Sequence, residues 1–190
     1  MIQCEFFQLP GENLLLEQRT SISRSSFERA ICWYLASGIQ EPSGGVARYY
    51  HSDTRRNARV STEITGYAVS ALCYAYQRSG DPAALDAALK AGRFLVGTAW
   101  DASLRTFPFE LHGESPLAYF FDTGIIVRGL LKLWRVTSER VFLDRAREAG
   151  SAMIGDFAHP AGFHPVLELP AKTARPYEPA WSRSPGCYQL

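Results

Sequence analysis

Two stretches of the chain are apolar on nearly every side. One is GYAVSALCYAYQ, within a segment from about Thr65 to Arg78; the other is GIIVRGLLKLW, interrupted only by Arg128 and Lys132 and followed by Arg135 and Val136. A helix that is apolar on most sides is buried on most sides. Each stretch is followed by a one-sided amphipath: Leu85, Ala88, Leu89, Gly92, Leu95 and Val96 in one copy, Phe142, Ala146, Ala149 and Met153 in the other. That spacing, with charged residues between, predicts a helix with one face in water. Ser79-Gly80-Asp81-Pro82 joins the first pair and combines a helix-ending Gly, an Asp N-cap and a Pro at the first helical position. Thr137-Ser138-Glu139 takes its place in the second pair.

The two pairs are copies of one another. Sliding the chain by 58 residues aligns Thr65-Gly66 with Thr123-Gly124 and continues without a gap to Gly97 and Gly155, with ten identities over 33 positions. A fixed period of this kind is the signature of a helical repeat. After each amphipath comes a loop rich in aromatics, Pro and Gly, beginning at Trp100 in one copy and at Asp156 in the other. A third such tail lies upstream. Ser26 to Gly38, with Phe27, Ala30, Ile31, Tyr34 and Leu35 on one stripe, reads as another outer helix and runs into QEPSGGVARYYHSDTRRNARVSTEI. Loops this long in a compact domain are usually functional. Trp181-Ser182-Arg183-Ser184-Pro185-Gly186-Cys187 reads as the start of a further inner helix.

Buried inner helices alternating with amphipathic outer ones, with the long loop always after the outer helix, resemble the helical toroids of the six-hairpin glycosidase-like superfamily. The residues that carry the resemblance are Thr65-Gly66 and Thr123-Gly124, the S-G-D-P turn, and the A-x-x-A-G outer helix. Within that superfamily S-T-E-I-T-G-Y (Ser61 to Tyr67), F-F-D-T-G (Phe120 to Gly124) and W-S-R-S-P-G-C-Y (Trp181 to Tyr188) look most like bacterial proteins associated with polysaccharide biosynthesis. More distantly they are similar to the C-terminal helical domain of glucuronyl C5-epimerases. The resemblance implies an all-α fold, a partial (α/α)6 toroid with long loops or short strands between hairpins. An N-terminal segment, 1–25, precedes the toroid, 26–190, with repeats at about 65–122 and 123–180 and a further one starting at 181–190. Six hairpins need more chain than 190 residues, so a fragment, or an arc that self-associates through its open edges, is expected.

Composition narrows the partners. The net charge is +1 with 21% charged residues, which excludes an electrostatic nucleic-acid binder and a polybasic membrane binder. Cys4, Cys32, Cys73 and Cys187 are scattered, with no C-x-x-C, so neither a disulfide framework nor a zinc site is expected. The N-terminus lacks a basic segment before an apolar run, and no apolar stretch is long enough to insert into a membrane. A cytoplasmic location is the expectation.

In a toroid of this kind the loops before the inner helices converge on one mouth, where helix N-termini add partial positive charge. Glu63 lies two residues before Thr65, and Asp122 one before Thr123. Two carboxylates from neighbouring repeats at one cleft supply an acid and a base for glycosidic cleavage or proton exchange at a sugar carbon. The plainer alternative is that each only caps its helix. Around them, Arg48, Tyr49 and His51 suit a saccharide, arginine gripping carboxylates and tyrosine stacking on sugar rings. An acidic saccharide is the implied partner, although arginine outnumbers lysine 17 to 3 throughout the chain. His164, Trp181 and Arg183 complete the set of candidate binders. Trp100, Phe107, Phe109 and Tyr119 either rim the site or seal the layers. His112 with Glu110 and Glu114, and His159 with His164, lack the spacing of a metal site, so neither metal nor cofactor is expected. G-x-S-x-G, P-loop, G-x-G-x-x-G and H-E-x-x-H motifs are absent. A carbohydrate-processing or carbohydrate-binding toroid, acting by acid/base chemistry if catalytic, is the function implied. A non-catalytic helical scaffold or binding module is the alternative.

Overall fold

The computed structural model describes residues 17–111 and 116–175. Five α-helices dominate it: α1 (Glu17–Ala36), α2 (Thr62–Ser79), α3 (Pro82–Phe94), α4 (Phe120–Thr137) and α5 (Arg140–Asp156). A π-helical turn, Leu95–Ala99, prolongs α3. The inner pair, α2 and α4, lies side by side, with α3 packed on α2 and α5 on α4. Val69, Leu72, Leu130 and Leu133 of the inner helices meet Ala88, Ala91, Leu95, Phe142 and Ala146 of the outer ones in one core. Each large side chain buried there contributes about 1.5–3 kcal/mol.

The 58-residue period is visible in backbone detail. Gly80 (φ 70°) and Ser138 (φ 60°) both end an inner helix in the left-handed region. Their amides donate to Tyr76 O at 2.8 Å and Trp134 O at 2.7 Å. Asp81 then caps α3 by accepting from the Ala83 amide at 3.0 Å. At the other end, the Thr65 hydroxyl donates to Ser61 O at 2.7 Å and the Thr123 hydroxyl to Tyr119 O at 2.9 Å.

Glycines set the approach of the inner helices. A Cβ on Gly66 would stand 2.9 Å from Ile126 Cα, and one on Gly129 would stand 2.6 Å from Gly66 O. Neither neighbour is a flexible side chain, so the backbones can come this close only without side chains. Arg128 and Lys132, the charges that interrupt the second apolar stretch, are accommodated over tyrosines of α2. Arg128 lies 5.7 Å from the Tyr67 ring and Lys132 5.4 Å from Tyr74.

Short strands occupy the loops: β1 (Val46–Ala47), β2 (Tyr50–His51), β3 (Arg56–Asn57), β4 (Val60–Ser61), β5 (Leu117–Tyr119), β6 (Ala158–His159), β7 (Gly162–Phe163), β8 (Val166–Glu168) and β9 (Thr173–Ala174). All pairings are antiparallel: β1 with β4, β2 with β3, β6 with β7, and β8 between β5 and β9. Strands β4 and β5 run directly into the inner helices α2 and α4, which fixes where each inner helix begins.

Details depart from the sequence pattern for physical reasons. Helix α2 begins at Thr62, earlier than Thr65, because the Ser61 hydroxyl accepts from the Ile64 amide at 3.2 Å. On α3 the buried stripe centres on Ala84, Ala88, Ala91 and Leu95, with Leu85 and Leu89 half-buried at its margins. Small residues let α3 approach the inner pair, and the leucines fill its edges. Helix α1 starts at Glu17 rather than near Ser26. Of its stripe only Ile31 is buried, against Ala75 and Ala84, while Ala30 and Leu35 are exposed.

Candidate functional site

The N-terminal turns of the inner helices place two carboxylates next to each other. Glu63 is in the first turn of α2 and Asp122 in the first turn of α4, each a negatively charged partner for the exposed amides there. The close crossing at Gly66, one turn after Glu63, is what brings these turns together. The two acids are not repeat equivalents. Glu63 corresponds to Phe121 and Asp122 to Ile64, a stagger of one residue.

Their surroundings differ accordingly. Asp122 is 8% exposed, and its Oδ2 is buried without a hydrogen-bond partner. Burial raises its proton affinity, the negative charge of Glu63 raises it further, and Arg48 and its own amide pull the other way; the outcome is a carboxyl pushed up to about 7. Glu63 is half-buried. Burial also holds it above the ordinary carboxylate range, against the opposing charge of Arg48. The hydroxyl of Ser61 is the side-chain cap of α2, while Tyr119 offers no capping side chain to α4 and the Asp122 carboxyl is favoured in its charged form by its own first-turn amide. Near neutral pH the pair therefore holds a proton that ordinary carboxylates would have lost.

Arg48, in the link between β1 and β2, faces both acids. Its guanidinium lies over the Phe109 ring at 4.8 Å and 3.9 Å from Glu110 Oε1. Glu110 in turn accepts from Arg59 at 2.8 Å. The loop carrying Phe109 and Glu110 is fastened to α2 by Thr62, whose hydroxyl donates to Pro108 O at 3.0 Å. Phe109 also meets Tyr119 with ring centroids 5.0 Å apart. The sequence offers Phe109 as a rim or sealing aromatic and Glu110 beside His112, but not their pairing with Arg48. Nothing local marks that pairing, since Arg48 comes from the preceding repeat's loop.

The remaining candidates make contacts of their own or fall outside the described residues. Tyr49 and His51 are exposed and stack edge to face at 4.9 Å, with His51 4.0 Å from Asp53. Trp100 and Phe107 are buried against each other at 4.9 Å and seal the layers. His164 follows β7, its ring 4.8 Å from that of His159. Among the described residues no three His, Cys, Asp or Glu side chains gather as a metal site. His112 and Glu114, and the candidate binders Trp181 and Arg183, fall outside the described residues.

No family model and no curated protein sequence matches the chain. Solved structures do. A sugar epimerase from a ruminal bacterium superposes with a TM-score of 0.74 at 14% identity, over 87% of this chain and 44% of that one. The chain is an arc of an α/α toroid. Cellobiose 2-epimerase from Spirochaeta thermophila matches the arc with a TM-score of 0.70 at 19% identity, again over 87% and 44%. D-mannose isomerase matches with a TM-score of 0.63 at 15% identity, over 80% and 44%. The arc thus spans less than half the length of each of these structures. At these identities the likeness carries the fold, and the toroid proteins that share it process carbohydrates. Among the described residues no helix is long and apolar enough to cross a membrane.

Proposed function

We propose that the arc forms part of a saccharide site in which Asp122 and Glu63 exchange a proton with a sugar. The observation that carries this reading is the buried Asp122 carboxyl, without a partner at Oδ2 and held protonated to about pH 7 by burial and by Glu63. A group poised near the working pH is the efficient donor in general acid catalysis, and the more exposed Glu63 is its complement as base. Sugar epimerisation and isomerisation, the activities in the names of the similar structures, are reactions that proton transfer at a sugar carbon can perform. Arg48, stacked on Phe109 beside the acids, is the group to orient the sugar, and its half-exposed guanidinium suits an acidic one. Bacterial polysaccharide synthesis or modification, in the cytoplasm, is the setting we assign. The free thiol of buried Cys73 is compatible with a reducing compartment.

Deuterium wash-in from D2O at sugar carbons, followed by proton NMR with cellobiose, mannose and glucuronate, tests the assignment. Exchange is expected with at least one sugar, falling about 100-fold or more in Asp122→Asn and in Glu63→Gln. Equal exchange in the parent protein and both variants would sink the catalytic reading. Saccharide binding that survives in both variants, with no exchange in any of the three proteins, would identify a binding module instead.

A further inference from the structure

We infer that Glu110 is a positioning residue: it fixes how far the Arg48 guanidinium stands from Asp122 and Glu63. The inference rests on the acid/base reading of that pair and adds the element that controls it.

The charged groups in question come from several places in the fold. Glu63 belongs to α2, Asp122 to α4, Arg48 to the link between β1 and β2, and Glu110 to the loop before β5. Arg59, in the link between β3 and β4, completes the set. Arg48 influences both acids, yet it forms no ion pair with either; among the described residues its ion-pair partner is Glu110, at 3.9 Å. Glu110 is not free to follow Arg48, because its other oxygen is held by Arg59 at 2.8 Å. Its side chain is 20% exposed, against 48% and 70% for the two arginines. It is the least exposed of the three. Thr62 ties the same loop to the first turn of α2, so Glu110 is registered to the turn that carries Glu63. Below Arg48 the Phe109 ring leaves the guanidinium a plane to slide on.

Two pulls therefore act on Arg48. Glu110 draws it toward the loop, and the carboxylate pair draws it toward the helix turns. Were Arg48 to move closer to Asp122 and Glu63, its charge would favour the ionised form of both and lower the proton affinity of Asp122. With Glu110 in place the guanidinium stays at the rim, exposed enough to meet a ligand and distant enough for Asp122 to remain protonated.

The test is a carboxyl 13C NMR titration of Asp122 in the full chain, with no sugar present. In Glu110→Gln, which keeps an oxygen for Arg59 but removes the charge, the Asp122 midpoint is expected to fall by about one pH unit as Arg48 moves inward. In an Arg48→Gln background the same substitution is expected to shift it by less than half as much, because the residue that transmits the effect is gone. Glu110→Asp, which retains the charge on a shorter arm, is expected to give an intermediate midpoint and serves if Glu110→Gln unfolds. An unchanged midpoint in these Glu110 variants overturns the inference, as does a shift that persists undiminished without Arg48, since that would be a direct effect of the Glu110 charge. The titration needs no turnover, so its failure is distinct from a failure of the D2O exchange, which judges the acid/base reading itself.

Discussion

At the scale of single residues, the pH behaviour of Asp122 is the sharpest consequence of its burial. Its folded-state proton affinity is raised from an ordinary 3.8 to about 7. Between those values the folded chain binds a proton that the unfolded chain releases, so this residue's contribution to stability declines as pH rises from about 4 to about 7 and is flat above. Asp122→Asn should accordingly raise the unfolding temperature at pH 8 and leave it nearly unchanged at pH 3.5. The gain at pH 8 should reach up to a few kcal/mol, since each tenfold change in proton affinity is worth about 1.4 kcal/mol. Thermal melts at both pH values check this; equal effects at the two would show that burial is not what holds the proton. Glu63→Gln removes the neighbouring negative charge, so the Asp122 midpoint should move down in a carboxyl titration. Sequence alone placed both acids at helix starts, because T-G marks the inner helices. It could not distinguish the buried acid from the half-exposed one, since that depends on the Gly66 and Gly129 crossing and on Arg48 arriving from another loop.

At the scale of elements, the inner helix pair depends on that crossing. Gly129→Ala would drive a methyl toward the Gly66 carbonyl, 2.6 Å away, and should cost about 1–3 kcal/mol despite alanine's better helix propensity. Gly150, on α5, has nothing within 4 Å of a Cβ, so Gly150→Ala should be neutral or stabilising by up to about 1 kcal/mol. Chemical denaturation of the two variants side by side separates packing from propensity. The inner-helix ends offer a second comparison. Gly80 takes the left-handed conformation freely, whereas Ser138 adopts it at φ 60° with a side chain, and Ser138→Gly should stabilise by about 1 kcal/mol. The repeat, the hairpin turns and the inner and outer roles were all legible in the chain, because burial on every side and burial on one side leave different patterns. Phe142, Ala146, Ala149 and Met153 are buried as their spacing required. What was not legible was contact across repeats: the alanine-centred face of α3 is set by how closely it sits on α2, and the strands β5, β8 and β9 pair segments with no local mark of partnership.

At the scale of the whole molecule, stability should be graded from the inner layer outward. Amides in the middle of α2 and α4, flanked by buried Val69, Leu72, Leu130 and Leu133, should exchange with solvent at least about 100-fold more slowly than those of the exposed β2 and β3 hairpin. Native-state hydrogen exchange measures this, and uniform protection would contradict a layered arc. The carboxylates stand at the junction of those regimes, on the firm ends of inner helices but facing the loops. Their one-residue stagger between copies has a further consequence. Had duplication filled matching slots, the mouth would hold two interchangeable acids with similar hunger for protons. One step along a helix is a turn of about 100°, enough to press one acid into the packing and leave the other half-exposed. Two copies of one scaffold thereby hold carboxyls in unlike surroundings, one buried and one half-exposed, without any shift in where the inner helices begin.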